Sequence, residues 1–343
     1  MRSYLVAVIV AMAVVVGCSG CAPKEPAPTG DAKGPTPDSV VAPKTPDMSG
    51  TIRISGAWAL YPMVVKWGEL YQQANPGVKL DISAGGAGKG AADALGGLVE
   101  IGMVSRAIHQ DEIDKGGWFV PVCIDAVFPT INEKNPELDS LMKTGAKQAT
   151  FAGLWLTNEV TTWGQVAGKT GGEKVRVFTR SDACGAAETW AKFMDKEKKQ
   201  EDLKGTGVYG DPGLAEAVLK DPLAIGFNNL NYAYDTKTGA PVAGLRILPI
   251  DRNGNGTLDP EESFYGSRDE VTKAIQDGRY PSPPARELNF LCKGEPTGVT
   301  AAFVRWCLTD GQAECLPNGF VPLTEEKGAE ALGKLGEGGN TQG

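Results

Sequence analysis

Residues 51–95 read TIRISGAWALYPMVVKWGELYQQANPGVKLDISAGGAGKGAADAL and contain the same local pattern twice. In the first copy, alternating residues 51–56 predict a strand. The apolar residues that follow at helical spacing predict a helix: Leu60, Val64, Trp67, Leu70 and Tyr71. In the second copy, a predicted strand over 78–83 precedes a turn of small residues over 84–90 and a helix over 91–98. Strands that alternate with helices are typical of the α/β class.

A third copy covers residues 175–194, with a predicted strand over 175–179, a turn over 180–185 and a helix over 186–194. In all three copies a helix begins directly after a turn. The first backbone N–H groups of a helix have no partner within it and lie at the positive end of its dipole, so they attract anions. Three such helix starts facing one cleft would form an anion-binding site.

The N-terminal residues are typical of an exported protein. Residues 1–3 carry a positive charge and residues 4–16 are apolar, which predicts a signal peptide over 1–17. That apolar run is too short to span a membrane comfortably, and no later segment is apolar enough to cross a bilayer. We therefore expect an extracytoplasmic location, in the periplasm or at the cell surface.

The signal ends in Val-Val-Gly-Cys at residues 15–18, which resembles a bacterial lipobox. We expect Cys18 to be lipidated and to anchor the protein to a membrane. The alternative is an uncleaved or Ala-x-Ala-type signal, and Cys21 is the weaker lipidation candidate. Residues 18–48 are rich in Pro, Gly and Ala without periodicity, which predicts a disordered tether between the anchor and the folded body.

The chain is acidic, with a net charge of −8 over 343 residues. Removal of residues 1–17 takes away only Arg2, leaving 33 basic and 42 acidic side chains and a net charge of −9. This charge argues against nucleic-acid binding. It also means that an anionic ligand must be held by local donors and helix dipoles, because the overall field repels it.

The cysteine and histidine content bears on disulfides, metals and catalysis. Six cysteines remain after the lipidated one, and their spacing leaves the disulfide pairing open, with Cys307 and Cys315 as one candidate bridge and Cys292 as a third candidate. His109 is the one histidine, which argues against a His-rich zinc or transition-metal site. A Cys184 nucleophile at a helix start is the enzymatic alternative. We expect no enzyme, because one histidine would have to serve as base with nothing to orient it.

Residues 251–262, DRNGNGTLDPEE, match the twelve-residue calcium loop position by position. Glycine stands at position 6, and oxygen ligands are predicted from the remaining key positions: Asp251, Asn253, Asn255, Thr257 through its carbonyl, Asp259 and Glu262. Residues 245–250 predict a strand rather than an entering helix, so we expect an isolated loop with a structural Ca²⁺ and no catalytic cofactor. The alternative is a turn that fits the pattern by chance.

Six stretches, in their order and spacing, resemble the phosphate-binding proteins of the Pst ABC importer over about residues 50–323. They read SGAWALYPMVVKWGELYQQANPGVKL, GGAGKGAADALGGLVEIGMVSR, TTWGQV, RSDACGAAETW, AIGFNNLNYAY and VRWCLTDGQ. The resemblance implies an α/β fold of the type II periplasmic binding protein class, with two lobes of mixed sheets flanked by helices and two crossover strands. It also implies that phosphate is held between the lobes without chemical change and delivered to a permease.

Four family motifs match residues 55–62, 86–90, 101–106 and 180–186. The resemblance implies that the ligand-binding residues lie in these motifs: Ala57, Trp58, Ala59, Ala87, Gly88, Lys89, Ser105, Arg106, Arg180, Asp182, Cys184, Gly185 and Ala186. Alanine, tryptophan or cysteine stands where family members commonly have Ser or Thr hydroxyls: Ala57, Trp58, Ala87, Cys184 and Ala186. We therefore expect a site that is more cationic and less hydroxylic than is usual for the family.

Alternatives remain open for the charged residues of these motifs. Arg180 is expected to contact the ligand, and its alternative is a surface position with a helix-capping role or a pair with Glu188. Lys89 is as well suited to solvent as to the ligand. A site that prefers phosphate to sulfate needs an acceptor for the proton of phosphate, and Asp182 and Asp125 are the candidates. Asp182 is equally suited to cap the helix that follows it.

The resemblance implies a discontinuous domain organisation. Lobe 1 is expected at residues 49–128 plus 229–325, lobe 2 at 129–228, and a flexible tail at 326–343. The chain would cross between lobes near 126–129 and 227–229. We expect a monomer that binds phosphate or a similar oxyanion; the alternatives are sulfate, phosphite or molybdate, or a calcium-stabilised surface or sensor protein outside transport.

Overall fold

The computed structural model describes residues 48–336. The predicted signal peptide, Cys18 and residues 18–47 of the predicted tether lie outside the described residues, as do residues 337–343. Within the described range, no helix is both long and apolar enough to span a membrane.

The predicted strand-turn-helix pattern is present at the start of this range. The elements are β1 (Gly50–Gly56), α1 (Tyr61–Ala74), β2 (Val78–Ala84), α2 (Ala87–Leu95) and β3 (Ile101–Val104), and β1 pairs in parallel with β2 and β3. α2 begins at Ala87 rather than at Ala91, so the glycine-rich segment forms its first turn. Glycine at position 90 permits this, because a Cβ there would overlap the Met103 carbonyl and the Gly56 Cα on the adjoining strands.

The remaining helices and strands follow in chain order: α3 (Gln110–Asp114), β4 (Gly117–Asn132), α4 (Leu138–Thr144), β5 (Ala146–Lys147), α5 (Gln148–Ala152), α6 (Trp163–Val166), β6 (Arg176–Arg180), α7 (Gly185–Met194), β7 (Thr206–Val208), α8 (Gly210–Lys220), β8 (Ala224–Asn229), α9 (Leu230–Ala233), β9 (Leu245–Ile247), β10 (Ile250–Asp251), α10 (Arg268–Gln276), β11 (Ala285–Lys293), α11 (Gly298–Leu308) and α12 (Glu325–Lys334). A π-helical turn covers Gly153–Thr157, and 3₁₀ turns cover Gln200–Asp202, Asp310–Glu314 and Leu316–Asn318. The third predicted strand-turn-helix unit is β6 followed by α7.

One mixed sheet runs through the molecule in the order β2-β1-β3-β11-β4-β8-β6-β7, and β9 also pairs with β4. β4 is 16 residues long. It pairs with β11 as far as Ala126 and with β8 and β9 from Val127 onward, all antiparallel. This single strand therefore belongs to both halves of the sheet.

Two large hydrophobic clusters lie along the sheet. Lobe 1 is the cluster formed by residues 52–123 and 288–335, with Trp67 and Phe290 among its buried side chains. Lobe 2 is the cluster built mainly from residues 126–285, with Trp190 among its fully buried side chains. β4 and β11 each run from one cluster to the other, which makes them the two crossover strands.

The second crossing lies later in the chain than predicted. Residues 229–284 were expected in lobe 1, but Tyr234, Phe264 and Tyr280 are buried in the lobe 2 cluster. The chain returns to lobe 1 through β11, near Ala285. The crossing was predicted near the end of β8. Nothing in the local sequence indicates which hydrophobic cluster the aromatic side chains after β8 will join.

The predicted flexible tail at 326–343 is wrong for its first part, because residues 325–334 form α12. Thr324 caps this helix by accepting a hydrogen bond from the Lys327 N–H at 3.3 Å. Ala331 and Leu335 are buried in lobe 1, one helical turn apart. With so few apolar residues the segment has only a weak helical pattern in its sequence. The helix is stabilised mainly by packing against lobe 1.

The cysteines of the described range are buried free thiols: Cys123, Cys184, Cys292, Cys307 and Cys315. The candidate bridge between Cys307 and Cys315 is therefore not formed in this structure. Burial raises the pKa of Cys292 and of Cys315 to about 12, which keeps both thiols protonated and unreactive.

Candidate anion-binding site

The helix starts α2 and α7 meet where lobe 1 faces lobe 2. The Gly88 N–H in the first turn of α2 donates to the Ala183 carbonyl, just before α7, at 3.1 Å. Gly185, the first residue of α7, approaches Ser105 at the end of β3 so closely that a Cβ on this glycine would overlap the Ser105 carbonyl. The structure thus brings the motifs at 86–90, 101–106 and 180–186 together.

The remaining motif, the turn before α1, contacts two of these, because a Cβ on Gly56 would overlap the Gly90 Cα and the Met103 carbonyl. It also lies beside the start of α8. The Trp58 ring packs edge-on against Tyr209, with 6.3 Å between ring centroids, and its Nε1 is buried without a hydrogen-bond partner in the described range. The Tyr232 hydroxyl reaches the Trp58 carbonyl at 3.5 Å. Tyr232 is half-buried, and burial together with Asp211 raises its pKa, so it stays a neutral phenol.

Backbone N–H groups at these turns lack an acceptor among residues 48–336: those of Trp58, Ala59, Ala87, Lys89, Gly185 and Ala186. Other backbone N–H groups at these turns are used within the protein. The Ala57 N–H donates to the Met103 carbonyl at 2.9 Å, and the Ala187 N–H donates to Cys184 Sγ at 3.3 Å. The unpaired donors lie where helix dipoles favour negative charge, which is the physical basis of an anion site.

Arg180 ends β6 with a completely buried side chain. Its Nε and Nη2 donate to the two carboxylate oxygens of Asp182 at 2.8 and 2.6 Å, and its Nη1 donates to Asp211 at 2.7 Å. Burial opposes the charge, but these carboxylates raise the pKa of Arg180. A guanidinium has five N–H bonds, so roughly two remain for a ligand. The alternative of a surface arginine paired with Glu188 is wrong.

Asp182 pairs with Arg180 and does not cap α7. Besides the bidentate pair, one of its oxygens accepts the Gly210 N–H at 3.1 Å. The N-cap of α7 is Cys184, so the alternative that Asp182 caps this helix is wrong. With both oxygens engaged, Asp182 has little capacity left to accept a proton from a ligand.

A second buried ion pair joins the crossover strands. Asp125 on β4 and Arg286 on β11 are directly opposite in the ladder, and Arg286 Nη2 lies 3.5 Å from Asp125 Oδ2. Both Asp125 oxygens are buried without a hydrogen-bond partner in the described range, although the N–H groups of Ala126 and Leu230 approach them without hydrogen-bonding geometry. Burial raises the pKa of Asp125 to about 7, and the Arg286 charge opposes that shift.

Arg286 extends this pair into a network that reaches Arg180. Its Nη1 donates to the Gly185 carbonyl at 3.1 Å, and its Nη2 donates to the Asn229 side-chain oxygen. Asn229 Nδ2 in turn donates to Asp211 at 2.7 Å. Three of these residues were not predicted from the sequence as part of the site: Arg286, Asn229 and Asp211. Only Asn229 lies in a recognised motif, and no local pattern indicated that the three side chains would meet.

Two predicted ligand cations turn toward other partners. Lys89 is half-exposed and forms an ion pair with Asp93, one helical turn away. Arg106 donates to the Glu112 carboxylate at 2.9 and 2.7 Å, and its Nε lies 3.2 Å from Glu188. The structure therefore does not present either side chain as a free donor to the anion turns.

Cys184 is placed as a helix cap and not as a nucleophile. Its thiol is buried, and that burial raises its pKa to about 12, the opposite of an activated thiolate. The ring of His109 lies 3.2 Å from Glu188, which gives it a carboxylate neighbour. This geometry does not support a Cys–His pair.

Residues 41–310 match the model of a family described as a PBP superfamily domain. The chain belongs to the PBP superfamily. Among curated PBP relatives, the phosphate-binding protein PstS of Xylella fastidiosa is 25% identical, with 92% of this chain and 93% of that protein covered. The phosphate-binding protein PstS of Bacillus subtilis is 24% identical, with 81% of this chain and 83% of that protein covered.

Solved structures show the same PBP architecture. An ABC-type phosphate transport receptor from Vibrio cholerae superposes with a TM-score of 0.57 at 17% identity, with 80% of this chain and all of that chain covered. A candidate phosphate ABC transporter substrate-binding protein with bound phosphate, from Clostridium perfringens, gives a TM-score of 0.64 at 18% identity with the same coverage. The predicted α/β type II periplasmic binding protein fold is confirmed.

The calcium-type loop of this PBP superfamily member follows strands β9 and β10, so no helix enters it, as predicted. Asp251 is buried and accepts the N–H groups of Gly254 and Gly256 at 2.7 and 2.8 Å. Glu262 is buried at the other end of the loop and accepts the Arg252 N–H at 2.8 Å. The first and last predicted ligands thus face the loop interior.

The middle of the loop converges on Asp259. The side-chain amides of Asn253 and Asn255 donate to one Asp259 oxygen at 2.7 and 2.9 Å, and the Thr257 N–H donates to Asn255 Oδ1 at 2.7 Å. Within residues 48–336, no group of three or more His, Cys, Asp or Glu side chains is arranged to hold a metal. A cation here would therefore need the amide oxygens as well as the carboxylates.

Proposed function

We propose that the protein is the phosphate-binding component of an ABC importer and holds the anion where the α1, α2 and α7 starts converge. The main observation in support of this proposal is the set of unpaired backbone N–H groups at these helix starts, together with the remaining N–H bonds of Arg180. The names of the PstS relatives support phosphate as the ligand. The protein would bind and release the anion without altering it.

The local donors explain how an acidic protein can hold an anion. The chain carries a net charge of −8, so long-range attraction cannot concentrate the ligand. Oriented N–H groups in a closed, water-poor site interact more strongly with charge than they would in water. Contact between lobes at Gly88 and Ala183 supports a closed arrangement around the ligand.

Asp125 supports phosphate over sulfate. Of the two candidate proton acceptors, Asp182 is engaged by Arg180, whereas the Asp125 oxygens accept no hydrogen bond within residues 48–336 and have Arg286 as a neighbour at 3.5 Å. A carboxylate with unused lone pairs would accept a hydrogen bond from protonated phosphate and repel sulfate, which has no proton to share at neutral pH.

Calorimetric titration with phosphate, sulfate, phosphite and molybdate tests the proposal. We expect binding of phosphate with clear preference over sulfate. Preference for molybdate or phosphite would support an oxyanion site but contradict phosphate as its ligand. No binding of any of the four anions to folded, ligand-stripped protein would contradict an oxyanion-binding function.

The lipid anchor and the permease complete the proposed function. Lipidation at Cys18 would tether the folded body to the membrane that contains the permease, and residues 18–48 would supply the reach. The variant Cys18→Ser should lose metabolic labelling by fatty acid, with Cys21→Ser as the matched control. Persistent labelling of Cys18→Ser would contradict lipidation at Cys18. Loss of labelling in Cys21→Ser would then place the anchor at Cys21.

A structural Ca²⁺ in the 251–262 loop is a separate proposal. The twelve-residue spacing supports it, and so does the burial of the Asp251 and Glu262 carboxylates at the two ends of the loop. Oxygen ligands of this kind suit a hard cation. The ion would stabilise the loop without contacting the anion site.

A further inference from the structure

Glu188 lies in the first turn of α7, and its carboxylate reaches lobe 1. Its Oε2 is 3.2 Å from Arg106 Nε, and its Oε1 is 3.2 Å from His109 Nε2. Lys192, one turn along α7, also donates to Oε1 at 2.6 Å. The Arg106 and Glu188 side chains are only 8% and 12% exposed, so solvent screens their attraction weakly. A lobe 2 carboxylate is thus bound by lobe 1 groups.

The lobe 1 side of this contact is also held by hydrogen bonds that do not involve Glu188. Arg106 forms two hydrogen bonds with Glu112, which also accepts the His109 N–H at 2.8 Å. Burial opposes the charge on Glu112, but these hydrogen bonds lower its pKa, so the carboxylate stays ionised. The Arg106 guanidinium is therefore oriented with its Nε free to meet α7.

The contact lies beside the anion turns without overlapping them. Gly185 and Ala186, whose N–H groups are unpaired, belong to the same helical turn as Glu188. Ser105, which touches Gly185, adjoins Arg106 in the chain. Among the ion pairs within residues 48–336, the contacts of Glu188 with Arg106 and His109 join the two lobes. They lie away from the crossover strands, which are joined by the pair of Asp125 and Arg286.

We propose that Glu188 is a positioning residue whose contact with Arg106 holds the first turn of α7 against the end of β3 and thereby sets how long a bound anion stays between the lobes. The inference rests on the proposed anion-binding function. Glu188 acts through Gly185 and Ala186 and does not touch the ligand. A purely electrostatic role predicts the reverse, because removal of a nearby negative charge would strengthen anion binding.

The test compares phosphate kinetics in the wild type, Glu188→Gln and the matched control Glu216→Gln. Glu216 lies in lobe 2 on α8 and pairs with Lys220 at 2.8 Å on the exposed surface, so its variant removes the same charge without a cross-lobe contact. Radiolabelled inorganic phosphate is followed in rapid filtration with an unlabelled chase. We expect Glu188→Gln to release phosphate roughly tenfold faster with an association rate unchanged within about twofold, and Glu216→Gln to match the wild type.

Hydrogen exchange of the ligand-free proteins supplies a readout that does not depend on the ligand. Amides at 185–188 and 105–109 should exchange faster in Glu188→Gln than in wild type, and those of α8 should not. Should Glu188→Gln fail to fold, His109→Gln removes one cross-lobe partner and should show a smaller change in the same direction. If the wild type binds no phosphate, the proposed function fails while exchange still decides the positioning role. Unchanged release and exchange, or a change in association alone, would overturn the inference.

Discussion

Arg180 and Asp182, two residues apart at the end of β6, form a bidentate ion pair that uses both carboxylate oxygens, while Asp211 pairs with the opposite side of the same guanidinium. Two buried carboxylates thus share one buried cation. This arrangement aims the remaining N–H bonds of Arg180 in fixed directions. It also means that Arg180 contributes to folding as well as to the proposed ligand contact.

Substitutions of Arg180 should separate these two contributions. Arg180→Ala leaves two buried carboxylates without a counter-charge and should lower the free energy of unfolding by about 3–5 kcal/mol. Arg180→Lys keeps the charge but not the planar fork, and should weaken phosphate binding by about 1.5–3 kcal/mol. Urea unfolding and calorimetry measure the two effects. Arg246→Lys, in a partly exposed pair with Glu133, serves as the control. Wild-type phosphate affinity in Arg180→Lys would remove Arg180 from the site.

Asp125 should make stability depend on pH. Its pKa of about 7 in the folded protein lies above its ordinary value near 4, so the folded state retains a proton that the unfolded chain loses between these values. The favourable contribution is complete below about pH 4 and is lost as the pH rises through about 7. Asp125→Asn removes this loss and should be more stable than wild type by about 2–4 kcal/mol at pH 8, with little difference at pH 4.

Urea unfolding at pH 4, 6 and 8 measures this effect, with Asp81→Asn on the exposed edge strand as the control. Parallel pH dependences for wild type and Asp125→Asn would contradict burial of the Asp125 carboxylate without hydrogen bonds. The same variant tests selectivity. If Asp125 accepts the ligand proton, Asp125→Asn should lose phosphate affinity and narrow the preference over sulfate.

Replacing the Cys184 thiol with a hydroxyl should provide a better hydrogen-bond donor to the anion. A thiol is a weak hydrogen-bond donor, and Cys184 stands at the cap of α7 where a hydroxyl would serve both the helix and an anion. Cys184→Ser should tighten phosphate binding by up to about 1 kcal/mol and raise the melting temperature slightly. Cys184→Ala is the matched control, since it removes the thiol without supplying a hydroxyl. Equal phosphate affinities for the serine and alanine variants would show that residue 184 does not face the ligand.

The calcium proposal predicts a stability effect that is independent of phosphate. In chelator-stripped protein, Ca²⁺ at about 100 times its dissociation constant should add about 2.7 kcal/mol of stability. Glu262→Gln should abolish most of this gain, whereas Glu261→Gln, at the exposed neighbouring position, should retain it. Melting curves with and without Ca²⁺ measure the effect. A melting temperature insensitive to Ca²⁺ would refute the metal site, and a large effect of Ca²⁺ on phosphate affinity would refute a purely structural ion.

Local patterns carried the prediction of the α/β class and of the helix starts. Strands and helices differ in hydrophobic period, and small residues mark the turns between them, so β1, α1, β6 and α7 can be read within short windows. The predicted start of α2 at Ala91 was late, because glycines near Gly90 read as loop until the strands that contact them are known.

What the sequence by itself determined is the repeated strand-turn-helix unit and the residues of its turns, since these depend on neighbours along the chain. The tertiary structure decided which charges meet: Asp125 with Arg286 through the register of β4 and β11, Arg180 with Asp211, and Arg106 with Glu188 across the lobes. Such pairs depend on strand register and on the packing of distant elements, which leave no periodic signal in either segment. For the same reason the return crossing at β11 and the docking of α12 became visible only in the folded protein.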